Sequence, residues 1–298
     1  MLVAGIAVVT ANPAPVNLVL LIVFTLGLAV TGYISYTLLQ QNAKDEVFRN
    51  AGLIMEATLS MRDYTQKQVS PHLDYQPDTF LPQSVPAFAA TEMMNVLRKK
   101  YADYNYKEAV LNPTNLRDRA VEWEADLVNA FRSDAAKTDL SGTRMSAAGP
   151  SLYLARPIKV VDEGCLVCHS TPDKAPAAMT VKYGSNNGFG WKVNEIIGAQ
   201  VVSVPMSLPI ENANRAFVTF MASLTGVFVV LFVILNVMLS LLIVRPITDM
   251  SEAANEISTG NMDIPEFPDK GRDEMALLAK SFNRMRRSLQ KAISLIDE

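Results

Sequence analysis

The residues with the most distinctive chemistry lie in one short segment, residues 164–176, which reads GCLVCHSTPDKAP. It contains both cysteines of the 298-residue chain, Cys165 and Cys168, and one of its two histidines, His169. Two thiols at this spacing can add across the two vinyl groups of a haem, and the histidine that follows can then coordinate the iron from one face. The motif predicts one covalently attached haem c per chain, with His169 as the proximal iron ligand.

Three other uses of a Cys-x-x-Cys pair fit the sequence less well. A structural zinc site normally has four ligands, and the chain offers only His72 as a further histidine and no third cysteine. A disulfide across two residues closes a loop too short to stabilise a fold much. A redox-active pair is expected within a thioredoxin-like βαβ pattern, which the sequence does not show. Haem attachment is therefore the preferred interpretation.

The hydropathy pattern indicates a membrane protein. Hydrophobic residues make up 49% of the chain, and two stretches, 16–39 and 216–244, contain no charged side chain. Each exceeds the roughly 20 apolar residues that a helix needs to cross about 30 Å of hydrocarbon. We therefore predict transmembrane helix 1 over 16–39 and transmembrane helix 2 over 216–244, rather than two buried core helices. The apolar N-terminal segment 1–15 lacks the basic start of a cleaved signal peptide, which favours an uncleaved anchor in the lipid.

The region between the spans, residues 40–215, is long enough for one domain with its own core. Apolar spacing and proline breaks predict helices over 43–69, 84–100 and 120–136, the first of them continuous with transmembrane helix 1. Alternating, β-branched segments predict strands over 151–161 and 195–206. Helices followed by strands indicate an α+β domain in which helices flank an antiparallel sheet.

The charged region 245–298 carries two amphipathic helical stripes. Their apolar residues are spaced three and four apart: Ile247, Met250, Ala254 and Ile257, then Met275, Leu278, Phe282, Met285 and Leu289. This is the spacing of a coiled-coil seam, which a single helix cannot bury. The pattern predicts a parallel four-helix bundle formed by two copies of the chain. An amphipathic tail lying on the membrane is the alternative.

Two resemblances extend this interpretation. Residues 61–206 resemble the PAS-like haem c sensor domain of bacterial and cyanobacterial receptors through a series of ordered segments: MRDYTQKQVSP, SVPAFAATE, YKEAVLNPTN, VEWE, LYLARPIKV, the CxxCH motif and GFGWKVNEIIGAQVVSVPM. Residues 245–298 resemble a HAMP linker, with Gly260 closing the first helix and Asp273 opening the second. The resemblance implies a haem domain on the periplasmic or lumenal side of a bacterial or thylakoid membrane, and a cytoplasmic HAMP pair. The count of basic residues near the spans is slightly contrary to this orientation.

The second axial ligand of the iron stays open at this stage. Members of the haem family differ at this position, and a cysteine ligand is excluded because the chain has no third cysteine. The candidates are the thioether of Met61, the imidazole of His72, and water or an empty position. Arg62 and Arg156 are predicted to pair with haem propionates, and Tyr64, in the same family-matching segment as Arg62, is a further predicted haem contact.

The predicted function is a haem c sensor of redox state or of a small ligand, signalling through transmembrane helix 2 to HAMP and then to a separate or missing output module. The alternative is a membrane-anchored electron carrier, which has no need of a HAMP domain. No acid–base or nucleophilic cluster suggests an enzyme. A net charge of −3 does not indicate the basic surface that is typical of nucleic-acid binding. The expected partners are lipid, a second copy of the chain, and a downstream signalling protein or redox partner.

Overall fold

The structure is a computed structural model that describes residues 14–73, 79–147, 149–161 and 163–295. It divides into two compact units. One comprises residues 35–217, and the other the described residues of 1–34 and 218–298. The predicted N-terminal segment 1–15 lies almost entirely outside the described residues.

The first helix, α1, runs without interruption over Ala14–Tyr64. It continues into a π-helical turn, Thr65–Val69, and a 3₁₀ turn, Ser70–His72. The helix ends here because Pro71 has no backbone N–H to extend the hydrogen-bond ladder. The predicted merger of transmembrane helix 1 with the helix over 43–69 is confirmed.

Four further helices belong to the unit of residues 35–217. Two were predicted: α2, Pro86–Arg98, and α3, Glu122–Ser133. The Glu124 carboxylate caps α3 by accepting a hydrogen bond from the Val121 N–H at 2.9 Å. Two shorter helices follow the strands that come after α3: α4, Leu166–His169, and α5, Ala177–Tyr183.

The sheet has four antiparallel strands: β1, Asn105–Val110; β2, Leu140–Ser146; β3, Gly149–Lys159; and β4, Ile196–Pro205. Their spatial order is β1-β4-β3-β2. The predicted strands correspond to β3 and β4, and the predicted α+β class with an antiparallel sheet is confirmed. Strands β1 and β2 were not predicted, because charged and polar side chains interrupt the apolar alternation in both.

Strand β4 runs through the middle of the core and divides its side chains between two faces. Val202 and Val204 pack with α1 and α2 on one face, whereas Ala199 and Val201 pack with α3 on the other. This is the two-residue alternation of a strand buried on both sides. Complete burial of each larger aliphatic side chain stabilises the domain by about 1.5–3 kcal/mol, so the helices are held firmly against the sheet.

Of the remaining helices, the first begins in the unit of residues 35–217 and the others lie in the other unit. The chain continues from β4 into α6, Ser207–Leu239, then a π-helical turn, Ser240–Val244, and α7, Arg245–Ser258. After a connector comes α8, Glu274–Ser294. Two helical stretches, Asn17–His72 and Ser207–Ser258, are long and apolar enough to cross a membrane.

The predicted ends of the tail helices at Gly260 and Asp273 are confirmed, whereas burial of the apolar stripe between two chains stays a prediction. Gly260, at φ +97°, ends α7, and the Asp273 carboxylate caps α8 by accepting from the Ala276 N–H at 2.8 Å. Within one chain, Ala253 is buried in place of the predicted Ala254. Five of the nine predicted seam residues stay exposed within one chain: Ile247, Ala254, Leu278, Met285 and Leu289. The residues buried on α8 are Ala276, Ala279, Asn283 and Arg286, a neighbouring stripe.

Candidate haem site

The CxxCH motif opens onto a cavity of about 440 Å³ within the unit of residues 35–217. Cys165, Cys168 and His169 all line it. The opposite walls come from α1, the start of α2, β1, the loop after β1, the end of β3, and α5. The lining residues include Arg62, Phe88, Glu108, Val110, Thr114, Arg117, Asp118, Lys159, Met179, Tyr183, Trp191 and Ile197.

The motif itself is held by local helical structure and a small apolar cluster. A 3₁₀ turn, Glu163–Cys165, leads directly into the single turn of α4. Cys165 packs with Leu166 against a buried group formed by Val110, Val160 and Ile197. Cys165 and Cys168 do not form a disulfide with each other. Burial, with a smaller contribution from Cys165, raises the pKa of the Cys168 thiol, which favours the protonated S–H form.

His169 is oriented by three neighbours. Its Nδ1 lies 2.7 Å from the backbone oxygen of Gly188 and 3.3 Å from the Thr114 hydroxyl, and its ring stacks on Trp191 at a centroid distance of 3.7 Å. A carbonyl oxygen only accepts hydrogen bonds, so the bond to Gly188 assigns the proton to Nδ1. Burial lowers the pKa of His169, although the Gly188 carbonyl opposes this. The neutral ring therefore keeps an unprotonated Nε2, which is the form that ligates a metal.

A buried ion pair forms another part of the cavity wall. The Nη1 of Arg62, on α1, lies 2.5 Å from both carboxylate oxygens of Glu108, on β1, and the Tyr106 hydroxyl donates to the same carboxylate at 2.8 Å. Burial lowers the pKa of Arg62, but the Glu108 carboxylate, with smaller contributions from Tyr106 and Cys165, raises the pKa overall. This pair joins the first helix to the sheet beside the cysteine motif.

The structure gathers four of the eight predicted site residues around this cavity: Cys165, Cys168, His169 and Arg62. It places Met61 and Tyr64 elsewhere, because neighbouring helical positions point about 100° apart. Met61 packs against the apolar core between α1 and the sheet, and Tyr64 is 58% exposed. Neither is among the lining residues of the cavity.

The other two predicted residues also lie outside the cavity lining. His72 follows Pro71 in the 3₁₀ turn and is exposed. Arg156 is engaged by two carboxylates, with Nε 2.7 Å from Asp139 and Nη1 2.6 Å from Glu56. Its charge is therefore balanced on the protein surface.

Several lining residues were missed at the sequence level. Trp191 lies in the GFGW segment, where Gly188 and Gly190 both have φ +82°. Two glycines flanking an aromatic residue signal a tight turn, but not what that turn contacts. The cations Arg117 and Lys159 and the buried Met179 also line the cavity. Burial raises the pKa of Asp118, another lining residue, to about 6.

The cavity fits a covalently held haem in its size and in its chemistry. Ligand cavities commonly measure roughly 300–1,000 Å³, with apolar walls and a few placed polar groups. Here both thiols and a neutral imidazole share one wall, Phe88 and Ile197 provide apolar surface, and Arg117 and Lys159 provide positive charge for acidic substituents. In the described part of the chain no group of three or more His, Cys, Asp or Glu side chains is arranged to hold a metal ion by itself.

The fold and the site together define a class: a two-span membrane protein with an α+β domain between its spans and a HAMP helical pair after the second. The chain belongs to the Tll0287-like family, whose model matches residues 40–205. A HAMP domain model matches residues 238–291.

Two individual proteins are also similar. The chain is 32% identical over 103 residues to the sensor histidine kinase WalK of Bacillus subtilis (strain 168), a match that covers 35% of this chain and 16% of the kinase. The crystal structure of the cyanobacterial heme-protein Tll0287 superimposes with a TM-score of 0.43 at 17% identity, over 54% of this chain and 95% of that one. The family assignment rests on the family model.

Proposed function

We propose that this chain is the haem c sensor and transmembrane transmitter of a signalling receptor. The observation that carries the proposal is the convergence of Cys165, Cys168 and His169 on one cavity, with Nδ1 of His169 hydrogen-bonded to a backbone carbonyl. An open cavity beside two thiols and an oriented imidazole is the arrangement that covalent haem attachment requires.

The chain's own residues divide the work of holding the cofactor. The Cys165 and Cys168 thiols would hold the haem covalently, each by addition of S–H across one vinyl C=C bond, which places sulfur and hydrogen on the two carbons and releases nothing. His169 would hold the iron through Nε2, and Lys159 and Arg117, which also pairs with Glu92 at 2.7 Å, would supply positive charge for the propionates, whereas Arg62 stays paired with Glu108. When bound, the haem supplies an iron that changes oxidation state or takes up a ligand.

Covalent haem attachment outside the cytoplasm supports an orientation for the chain. In this orientation the unit of residues 35–217 lies on the periplasmic or lumenal side of a bacterial or thylakoid membrane, and the HAMP domain lies in the cytoplasm. The pair of candidate spans on either side of the haem unit agrees with this arrangement.

The signal leaves the haem unit through β4 and the helix that follows it. Only Met206 separates β4 from α6, and it is buried, with its N–H donating to the Pro150 carbonyl at 2.9 Å. A change in packing around the cavity that moves β4 therefore moves the start of α6. HAMP helices with two competing packings would turn a small bias into a switch.

The half-exposed apolar seam of the HAMP helices supports a homodimer. Leu278, Met285 and Leu289 are 40–47% exposed in one chain and repeat at coiled-coil spacing. A second copy of the chain buries this seam in a parallel four-helix bundle, and a separate or contiguous signalling module reads its packing. An electron carrier would have no use for such a switch, so the HAMP match favours sensing over electron transfer.

The proposal is tested by producing the chain in cells that mature c-type cytochromes and denaturing the purified protein. We expect one haem to remain attached to the polypeptide, with the absorption spectrum of a thioether-linked haem. The control is Cys165→Ala/Cys168→Ala, which should retain no pigment after denaturation. A wild-type chain that releases its haem into acidified solvent, or carries none, would overturn the proposal.

A further inference from the structure

Two of the three neighbours that orient His169, Gly188 and Trp191, belong to the glycine-rich segment between α5 and β4. We propose that Gly188 and Trp191 are positioning residues that hold the His169 ring for iron ligation and set the reduction potential of the iron. This inference rests on the proposed haem c site.

The hydrogen bond from His169 to Gly188 controls the donor strength of the ring. With Nδ1–H donating at 2.7 Å to a backbone oxygen, the ring is held in one tautomer and its Nε2 becomes a stronger donor. A stronger donor stabilises ferric iron more than ferrous iron, because the ferric ion carries the greater charge. The bond should therefore lower the reduction potential.

The position of that carbonyl depends on the absence of a side chain at residue 188. Gly188 has φ +82°, and a Cβ placed there would lie 2.7 Å from the backbone nitrogen of Thr114 and 2.8 Å from its Cα, and would overlap its hydroxyl. Since the Thr114 hydroxyl lies 3.3 Å from Nδ1 of His169, any side chain at 188 must displace the residues that orient the imidazole.

Gly190 provides a matched control for this position. It has the same φ of +82°, but no atom lies within 4 Å of a Cβ built on it. Gly190→Ala therefore carries the same cost of a left-handed backbone without the collision with Thr114. A difference between the two alanine variants isolates the contact around His169 from general backbone strain.

Trp191 restricts the His169 ring by covering one of its faces. The two rings are nearly parallel, 16° apart with centroids 3.7 Å from each other. The backbone ties the same segments together, because the Trp191 N–H donates to the His169 carbonyl at 3.2 Å and the Gly190 N–H to the Ser170 carbonyl at 2.8 Å. The stack therefore limits rotation of the imidazole about its side-chain bonds.

The experiment compares the full-length protein in detergent with Gly188→Ala, Gly190→Ala, Trp191→Leu and Trp191→Phe. Each is first denatured to count covalent haem, and is then titrated potentiometrically with its ferric spectrum recorded. Loss of an outer partner of a metal-bound histidine typically weakens ligation by roughly 10–100-fold. If ligation of the ferric iron weakens about tenfold more than ligation of the ferrous iron, the midpoint rises by about 59 mV for this one-electron couple.

We expect Gly188→Ala and Trp191→Leu to keep one haem, to shift the midpoint upwards and to increase the high-spin ferric fraction. Gly190→Ala should have the midpoint and ferric spectrum of the wild type. Trp191→Phe, which keeps an aromatic face, should have a midpoint close to the wild-type value. Equal midpoints and spectra in all five proteins would overturn the inference. If Gly188→Ala fails to mature, the Leu and Phe variants at 191 decide alone. Absence of covalent haem from the wild type would instead refute the proposed function.

Discussion

The ion pair between Arg62 and Glu108 provides a quantitative test of how α1 is joined to the haem unit. The Glu108 side chain is 5% exposed and the Arg62 side chain 25% exposed. Removing one partner of a buried pair typically costs about 3–5 kcal/mol, because the other charge stays buried without compensation. Replacing both partners together is often close to neutral.

These values set an order for three variants. Arg62→Met leaves the more deeply buried carboxylate with the Tyr106 hydroxyl still bonded to it, and should lower the free energy of unfolding by about 3–5 kcal/mol. Glu108→Gln leaves a guanidinium that partly reaches solvent, so about 3 kcal/mol is expected. The double variant should lose only about 0–2 kcal/mol. The resulting coupling energy is then at least about 4 kcal/mol.

The assay is urea unfolding of the full chain in detergent, followed by tryptophan fluorescence. The chain contains two tryptophans, Trp123 and Trp191, and both lie in the unit of residues 35–217. The signal therefore reports the unfolding of that unit. As a control on the same helix, Glu56→Gln breaks the exposed pair with Arg156 and should cost less than about 1 kcal/mol. Single losses below about 1 kcal/mol, or losses that simply add in the double variant, would refute the assignment of this pair as a buried anchor.

Two further predictions concern the cavity wall and the HAMP seam. Burial raises the pKa of Asp118 from 3.8 to about 6, so ionisation of Asp118 lowers stability as the pH rises from about 4 to 6. Asp118→Asn should match the wild type at pH 4 and exceed it by about 1–2 kcal/mol at pH 7, after allowance for partial exposure; an equal difference at both pH values in urea unfolding would contradict this. Leu278→Lys should weaken the proposed dimer, measured by chemical cross-linking in detergent, whereas Leu277→Lys, at a more exposed position outside the seam, should leave it intact; equal losses would contradict the assigned seam.

The sequence was sufficient for those parts of the site that lie close together along the chain. Cys165, Cys168 and His169 are separated by at most four positions, so local helical geometry alone brings them to one wall. Which face of α1 meets that wall depends instead on how a 51-residue helix packs across the sheet. Spacing within the helix cannot decide this. Arg62 lines the cavity, whereas Met61, its immediate neighbour, packs into the core.

Strand β1 shows why charged residues concealed part of the fold. Lys107 and Glu108 interrupt the apolar alternation that identified β3 and β4, and charged side chains are rarely buried unless they are paired. Each charge is tolerated because a distant element supplies its partner: Lys107 bonds Glu124 of α3 at 2.6 Å, and Glu108 bonds Arg62 of α1. Those partners are 17 and 46 residues away, beyond the range of any local pattern.

The HAMP helices illustrate a related limit: the three–four spacing identifies an apolar stripe, but not which residues of α8 pack within one chain. A three–four repeat identifies a stripe that must be buried, but neighbouring stripes on a short amphipathic helix differ by a single position. Within one chain, Asn283 selects the inner stripe of α8, because its side chain both accepts from the Phe267 N–H at 3.0 Å and donates to the Phe267 carbonyl at 2.8 Å. This pairing fixes the connector against α8 and turns Leu278 and Met285 outwards. The coiled-coil spacing therefore predicts the surface offered to a second chain, whereas the polar Asn283, which interrupts no apolar repeat, determines the packing within the first.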